Sequence, residues 1–293
     1  MIRIAIAAAG LAFAITSSAQ AETDWKRVEQ ALGTTGAAQP GGVYRFGLPR
    51  SDLKVTVDGV GIRPALALGS WVAFKNQGDQ ALVMGDLVLT EAEVNPVMKR
   101  LIEGGFEITA VHNHLLRASP ATFYMHVSGH GDAVKLAETL HAALSLSKTP
   151  LAPPSASPAA LTLDLDTGAL DRILGANGRP AGGVYQFTIP RAETIKDGGM
   201  EVPGSMGTGT AINFQPTGSG KAAITGDFVL IAGEVNPVLK ALRDHGIEVT
   251  AIHNHMLEDQ PHLFFVHFWA NDDAAKLAEG LKAALAQINI AKS

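Results

Sequence analysis

The sequence predicts an α+β fold built from two tandem homologous domains, each a mostly antiparallel sheet with helices on one face. Three observations predict it. The chain repeats itself at an offset of 141 residues, so that Gly41-Gly42-Val43-Tyr44 returns as Gly182-Gly183-Val184-Tyr185, and 85–116 align without a gap on 226–257 with 19 of 32 positions identical. A period that long is a duplicated domain rather than a solenoid. Within each copy, short runs of alternating apolar residues switch to helical spacing and back, which is the pattern of strands and helices that share a core. Between the copies, Ser147 to Thr167 carries Pro150, Pro153, Pro154 and Pro158, a linker composition.

The elements follow in order. A short helix covers Trp25–Leu32, matched by Leu170–Leu174, and a strand covers Val43–Leu48. Strands near Ser70–Lys75 and Ala81–Thr90 correspond to Thr210–Gln215 and Lys221–Ile231. A helix is expected next, with Asn95 as its cap and Pro96 as its first residue, where a missing N–H costs nothing. Val97, Met98, Leu101 and Ile102 form its apolar stripe, and Gly104-Gly105 stop it. Two strands, Phe106–Leu116 and Thr122–Ser128, precede a last helix over Ala133–Leu146 capped by Asp132. The tail of each unit is β-α-β-β-α, as in ferredoxin-like sandwiches. In the linker, Ala160–Leu165 reads as a short strand.

Met1–Ala21 has one basic residue, Arg3, then an apolar run from Ile4 to about Ile15 and an Ala19-Gln20-Ala21 cleavage pattern. It reads as a signal peptide, so the expected organisation is 1–21 signal peptide, 22–146 first repeat, 147–167 linker and 168–293 second repeat. The expected location is periplasmic or secreted, with no transmembrane anchor after cleavage. There are 23 basic and 28 acidic side chains, a formal charge of −5, which argues against nucleic acid as a partner. With no cysteine in the chain, thiolate metal sites, iron–sulfur clusters and cysteine nucleophiles are excluded.

Three histidine pairs survive the offset: His112/His253, His114/His255 and His126/His267. His112-Asn113-His114 is read as strand, so both imidazoles leave one face. In the next strand Phe123, Met125 and Val127 should face the helices, which turns His126 to the opposite face. A hairpin near Ala118–Pro120 places His126 across from His112. Two-plus-one imidazoles at strand spacing can hold one transition metal, zinc or copper, with an open position. The expected site is therefore His112, His114 and His126 in one copy and His253, His255 and His267 in the other. Glu93/Glu234 and Asp86/Asp227 are the further oxygen candidates, with Glu93 and Glu234 assigned the role of catalytic base should the protein be an enzyme. Arg50/Arg191 are candidates for an anion, and His130 for an extension of the first site. The plainer alternative has the histidines hydrogen-bonding across an interface between the copies.

The segments Glu93-Val94-Asn95-Pro96-Val97 and Val111-His112-Asn113-His114, each present twice after an export signal, resemble the LppY/LpqO family, a bacterial envelope family classed as a domain of unknown function. The resemblance covers nearly the whole mature chain and implies export and two domains. It implies no reaction or ligand. Some members are lipoproteins, which the missing cysteine excludes here. The expected function is metal binding in each repeat. Its alternatives are a metal-dependent hydrolase or lyase of the envelope and a non-enzymatic module, with structural histidines, that binds an envelope polymer or a small ligand between the two sheets.

Overall fold

A computed structural model describes residues 23–78, 80–151 and 163–291. The first repeat runs α1 (Trp25–Leu32), β1 (Ala37–Gln39), β2 (Val43–Pro49), β3 (Thr56–Val57), β4 (Val60–Gly61), α2 (Pro64–Ala67), β5 (Gly69–Gln77), β6 (Gln80–Thr90), α3 (Glu91–Glu103), β7 (Glu107–His112), β8 (Thr122–Gly131) and α4 (Ala133–Leu144). The second runs α5 (Thr167–Leu174), β9 (Arg179–Ala181), β10 (Val184–Pro190), β11 (Lys196–Asp197), β12 (Met200–Glu201), β13 (Gly209–Gly218), β14 (Lys221–Ile231), α6 (Ala232–Asp244), β15 (Glu248–His253), β16 (Asp259–Gln260), β17 (Leu263–Asp273) and α7 (Ala274–Leu285). Residues 1–22, which include the expected signal peptide, and 152–162 of the linker lie outside the described residues. Of the short strand expected over 160–165, the described part, Leu163–Leu165, is not a strand but packs on the second core.

Each repeat forms a six-stranded sheet, in the order β1-β2-β5-β6-β8-β7 and β9-β10-β13-β14-β17-β15, with antiparallel neighbours. β8 lies between β6 and β7, the split β-α-β arrangement of a ferredoxin-like tail. Aspartate caps open α1, α4, α5 and α7: Asp24, Asp132, Asp166 and Asp273 each accept from a backbone amide of the first turn.

The central strand β6 is buried along nearly its whole length, because both its faces are covered. Val83, Leu87 and Leu89 point to the layer of α1, α3 and α4. Leu82, Met84 and Val88 point the other way, into apolar clusters that contain Val229 and Phe265 or Val184 and Trp269 of the second repeat. The two sheets therefore pack face to face, and the molecule is layered helix, sheet, sheet, helix. The interface between the repeats is a hydrophobic core rather than a loose contact, and polar bonds cross it: Arg63 donates to the Gly183 carbonyl at 2.6 Å and Trp269 to Asp58 at 3.0 Å.

The helix start expected at Asn95-Pro96 is corrected. α3 begins at Glu91, and Pro96 lies inside it. The Thr90 amide donates to the Glu93 carboxylate at 2.8 Å, a cap that starts the helix earlier and outweighs the bond the proline cannot make. β7 is shorter than expected and ends at His112, so His114 sits in the loop that follows.

Candidate metal centre

His126 lies on β8 and faces away from the helices, as the alternation of Met125 and Val127 into the helix-side core requires. Its cross-strand neighbours are Asp86 on β6 and Ala110 on β7. His112 pairs with Tyr124 instead, so the hairpin register differs by two residues from the one expected. A bulge between Ile108 and Ala110 accompanies the difference. A slip of two preserves the face, whereas a slip of one would have sent His126 into the helix layer. The second repeat does the same, with His267 between Asp227 and Ala251 and His253 opposite Phe265.

The two histidine faces meet. His112 stacks on His253 with ring centroids 3.4 Å apart, His114 on His267 at 3.6 Å and His126 on His255 at 3.7 Å. At the 141-residue offset the first contact maps onto itself and the other two onto each other, the reciprocity of a two-fold relation. The expected two separate sites are thus one cluster of six imidazoles between the sheets, flanked by Asp86 and Asp227. Ligand atoms of His112, His114, His126 and His253 lie within 4.8 Å of one another, and so do those of Asp227, His253, His255 and His267.

The loops that carry His114 and His255 are tied to the opposite repeat. Thr109 donates to the His255 carbonyl at 2.6 Å, and its offset partner Thr250 donates to the His114 carbonyl at 2.5 Å. His114 also stacks on Tyr124 and His255 on Phe265, both at 3.4 Å. The threonines were not read as site residues from sequence. Their retention in both copies, within the segment that ends at the histidines, was the available signal.

The electrostatics are unusual for a packed interface. Burial holds His112 down at about 3 and His253 at about 4, and it drives His114, His126, His255 and His267 well below the ordinary imidazole value, with the neighbouring imidazoles adding to the effect. Burial raises Asp86 to about 8 against the pull of Arg45, and raises Asp227 well above the carboxylate range, with Asp86 adding repulsion. Seven atoms of the cluster are buried without a hydrogen-bond partner: Asp86 Oδ1, His112 Nδ1, His114 Nε2, Asp227 Oδ1, His253 Nε2, His255 Nε2 and His267 Nε2. The outward nitrogen of His267 is committed, since Nδ1 lies 2.7 Å from the Gly226 carbonyl and donates to it, which leaves a lone pair on Nε2 directed into the cluster. Gly226 is required there, because a Cβ would stand 2.0 Å from the Ala211 carbonyl oxygen.

Glu93 and Glu234 do not join the cluster, and the role of catalytic base is corrected. Glu93 accepts from both terminal nitrogens of Arg50 at 2.8 and 3.2 Å, from the Thr90 amide and from the Lys148 amide at 2.8 Å. Four bonds fill its lone-pair sites. Burial works against its charge, yet Arg50 and these amides hold it below the usual carboxylate value. Glu234 is bonded likewise by Arg191, the Ile231 amide and the Asn289 amide. The anion role of Arg50 and Arg191 falls with it, because each guanidinium spends its donors on the chain's own glutamate, a second carboxylate (Asp52 or Glu193) and a β-strand carbonyl. His130 is exposed on β8 and belongs to neither ligand group. His141 lies 2.9 Å from the Leu32 carbonyl, tying α4 to α1.

A family model described as "Domain of Unknown Function (DUF1259)" matches the chain twice, over residues 26–146 and 168–287. No curated protein matches it. Two solved structures are similar at low identity: the trimeric bacterial microcompartment shell protein PduB, 12% identical over 86% of this chain and 89% of that one, and EtuB from Clostridium kluyveri, 9% identical over the same shares. Both have a TM-score of 0.20, at which the likeness carries no argument.

Proposed function

Starting from the Domain of Unknown Function (DUF1259) family, to which the chain belongs through both its halves, we propose that this protein binds a transition metal, zinc or copper, at the histidine cluster between its repeats. The observation that carries the reading is the set of seven unpartnered buried atoms, all on groups that ligate metals. A buried polar atom left without a partner costs about 1–3 kcal/mol, so a plain structural role would have selected apolar residues here. A cation reverses the account. It takes the lone pairs of neutral imidazoles, which burial already keeps neutral, and it offsets the charge that burial denies to Asp86 and Asp227.

The dimensions support the reading. Ligands 2.0–2.1 Å from a tetrahedral zinc stand about 3.3 Å apart. His126 Nε2 and His112 Nε2 are 2.9 Å apart, and Oδ2 of Asp227 is 3.5 Å from His255 Nε2. Imidazole donors suit both zinc and copper. The hydrolase reading loses its base with Glu93 and Glu234. The small-ligand reading loses its room, because the space between the sheets is filled by the stacked rings and by Phe265 and Trp269. The likeness to LppY/LpqO proteins and the signal segment favour a periplasmic or secreted setting, in keeping with a centre free of thiols. No helix among the described residues is long and apolar enough to cross a membrane.

The test is calorimetric titration of the full mature chain with zinc and with copper after chelator treatment, with elemental analysis of the untreated protein. Binding tighter than micromolar that disappears when His114, His126, His255 and His267 are all replaced by Gln is the expected result. Affinity no better than millimolar for both metals would return the histidines to a structural role.

A further inference from the structure

The two halves of the cluster share a plan, with an aspartate beside the histidines of each, but differ in how closely that carboxylate approaches: Asp227 Oδ2 is 3.5 Å from His255 Nε2, and Asp86 Oδ2 is 3.9 Å from His114 Nε2. One group is all imidazole: His112, His114, His126 and His253. The other is three imidazoles and a carboxylate: Asp227, His253, His255 and His267. His253 belongs to both. The difference has a structural origin in the strands beside the aspartates. Asp86 is directly opposite Trp71, and the Arg45 guanidinium lies over that indole, 4.0 Å from its ring centre, while donating to the Ser205 carbonyl at 2.7 Å. In the second repeat the position opposite Asp227 is Ala211, and Gln186 stands where Arg45 does. Gln186 is neutral and donates to the Ala65 carbonyl. A fixed cation is therefore built beside Asp86 and is missing beside Asp227. The Trp71 indole also reaches the second repeat, where a Cβ on Gly207 would lie 2.9 Å from it and 3.9 Å from His255 Nδ1.

We propose that the cluster is a two-metal centre with non-equivalent positions that share His253: a mixed position at Asp227, His253, His255 and His267 that takes zinc first, and an all-imidazole position at His112, His114, His126 and His253 suited to copper. The proposal rests on the metal-binding reading above and goes beyond it in number, order and identity. The mixed position fills first because its carboxylate stands nearer the imidazoles, Asp227 Oδ2 lying 3.5 Å from His255 Nε2 against 3.9 Å between Asp86 Oδ2 and His114 Nε2, and because no guanidinium is set beside it as Arg45 is beside Asp86. The all-imidazole position follows, weakened by the first ion and by Arg45. Copper exceeds zinc in affinity for nitrogen donors generally, so it is the ion able to occupy the disfavoured position. Sharing His253 requires its imidazole to give up its ring proton to solvent, so that Nε2, unpartnered in the cluster, ligates one ion and Nδ1, now 3.3 Å from the Asn254 carbonyl, ligates the other; filling both positions therefore releases a proton and couples the two binding steps.

The experiment uses the full mature chain, stripped with chelator, then titrated with zinc sulfate and afterwards with copper(II), with the ion count read by native mass spectrometry and the copper site by electron paramagnetic resonance. Two ions per chain are expected, and the copper in zinc-filled protein should show four nitrogen donors. Asp227→Asn, isosteric and neutral, should remove the zinc step and leave the copper step. His253→Ala should weaken both steps by at least tenfold. Arg45→Gln, which copies the second repeat, should tighten only the copper step, by roughly three- to tenfold for the loss of one nearby charge. That gain cannot come from misfolding. Saturation at one ion per chain, an effect of His253→Ala on one step only, or an oxygen donor in the copper spectrum would each overturn the two-position proposal while leaving metal binding standing. No binding of either ion to the unsubstituted chain would overturn both.

Discussion

Each repeat buries two polar groupings, and they are opposites. The Arg50–Glu93–Asp52 clasp, with its copy at Arg191–Glu234–Glu193, satisfies every donor of its guanidinium and every acceptor of its central glutamate. The histidine–aspartate cluster leaves seven buried atoms unmatched. Both are charged or chargeable, both are duplicated, and both were candidate functional residues in the sequence. The difference teaches that burial and retention do not tell the two groupings apart, whereas hydrogen-bond completeness does. A completed network locks a helix start to a sheet, and an incomplete one has capacity left for a ligand.

Acid should separate the two most sharply. The six imidazoles sit below their ordinary value, so from about pH 6.5 downward the unfolded chain binds protons the folded one refuses. Asp86 and Asp227 act in the opposite sense. Six minus two leaves up to four protons favouring the unfolded state between about pH 4.5 and 6. At about 1.4 kcal/mol per proton per pH unit, the metal-stripped protein should lose up to about 5 kcal/mol per unit there. The clasp glutamates are depressed, so their stabilisation is complete above about pH 4.5 and is lost only as pH falls through their lower folded values. Urea denaturation from pH 7 to 5 reads this, and a flat profile would mean the imidazoles are not buried neutral.

Breaking the clasp comes next in size. Arg50→Met strands a buried carboxylate and should cost about 3–5 kcal/mol of stability while leaving zinc affinity unchanged. A matching loss of affinity would show that the clasp and the cluster are one system. Saturating metal should act the other way, stabilising the protein by about 2.7 kcal/mol at a hundredfold excess over the dissociation constant, measured as a rise in Tm. Thr109→Val removes the bond to the His255 carbonyl and should cost about 1–2 kcal/mol. It should also weaken the Asp227-side metal position, with Thr250→Val acting on the His114 side. Smallest is His141→Ala, about 1 kcal/mol through the lost tie to Leu32, with metal titrations unaltered.

The duplication, the strand–helix order and the side of the sheet on which His126 lies were all legible from the sequence. They depend on local period, and a period of two survives an error of two in register. Asp86 and Asp227 were legible as oxygen candidates, and the structure places each directly across from a cluster histidine. The helix start was misplaced because a cap at Asn95-Pro96 and a cap at Thr90/Glu93 are both chemically sound, and only the Arg50 partner of Glu93 decides between them. Single-copy reasoning placed one three-histidine site in each repeat, since residues of different repeats have no spacing in sequence from which to argue. Face-to-face packing of the two sheets settled that matter: it brings His112 onto His253 and ties each histidine loop to a threonine of the other repeat. The sequence by itself determined which groups leave which face. The tertiary structure alone decided that the two faces are one surface, because apolar burial across 141 residues of separation is non-directional and leaves no local pattern.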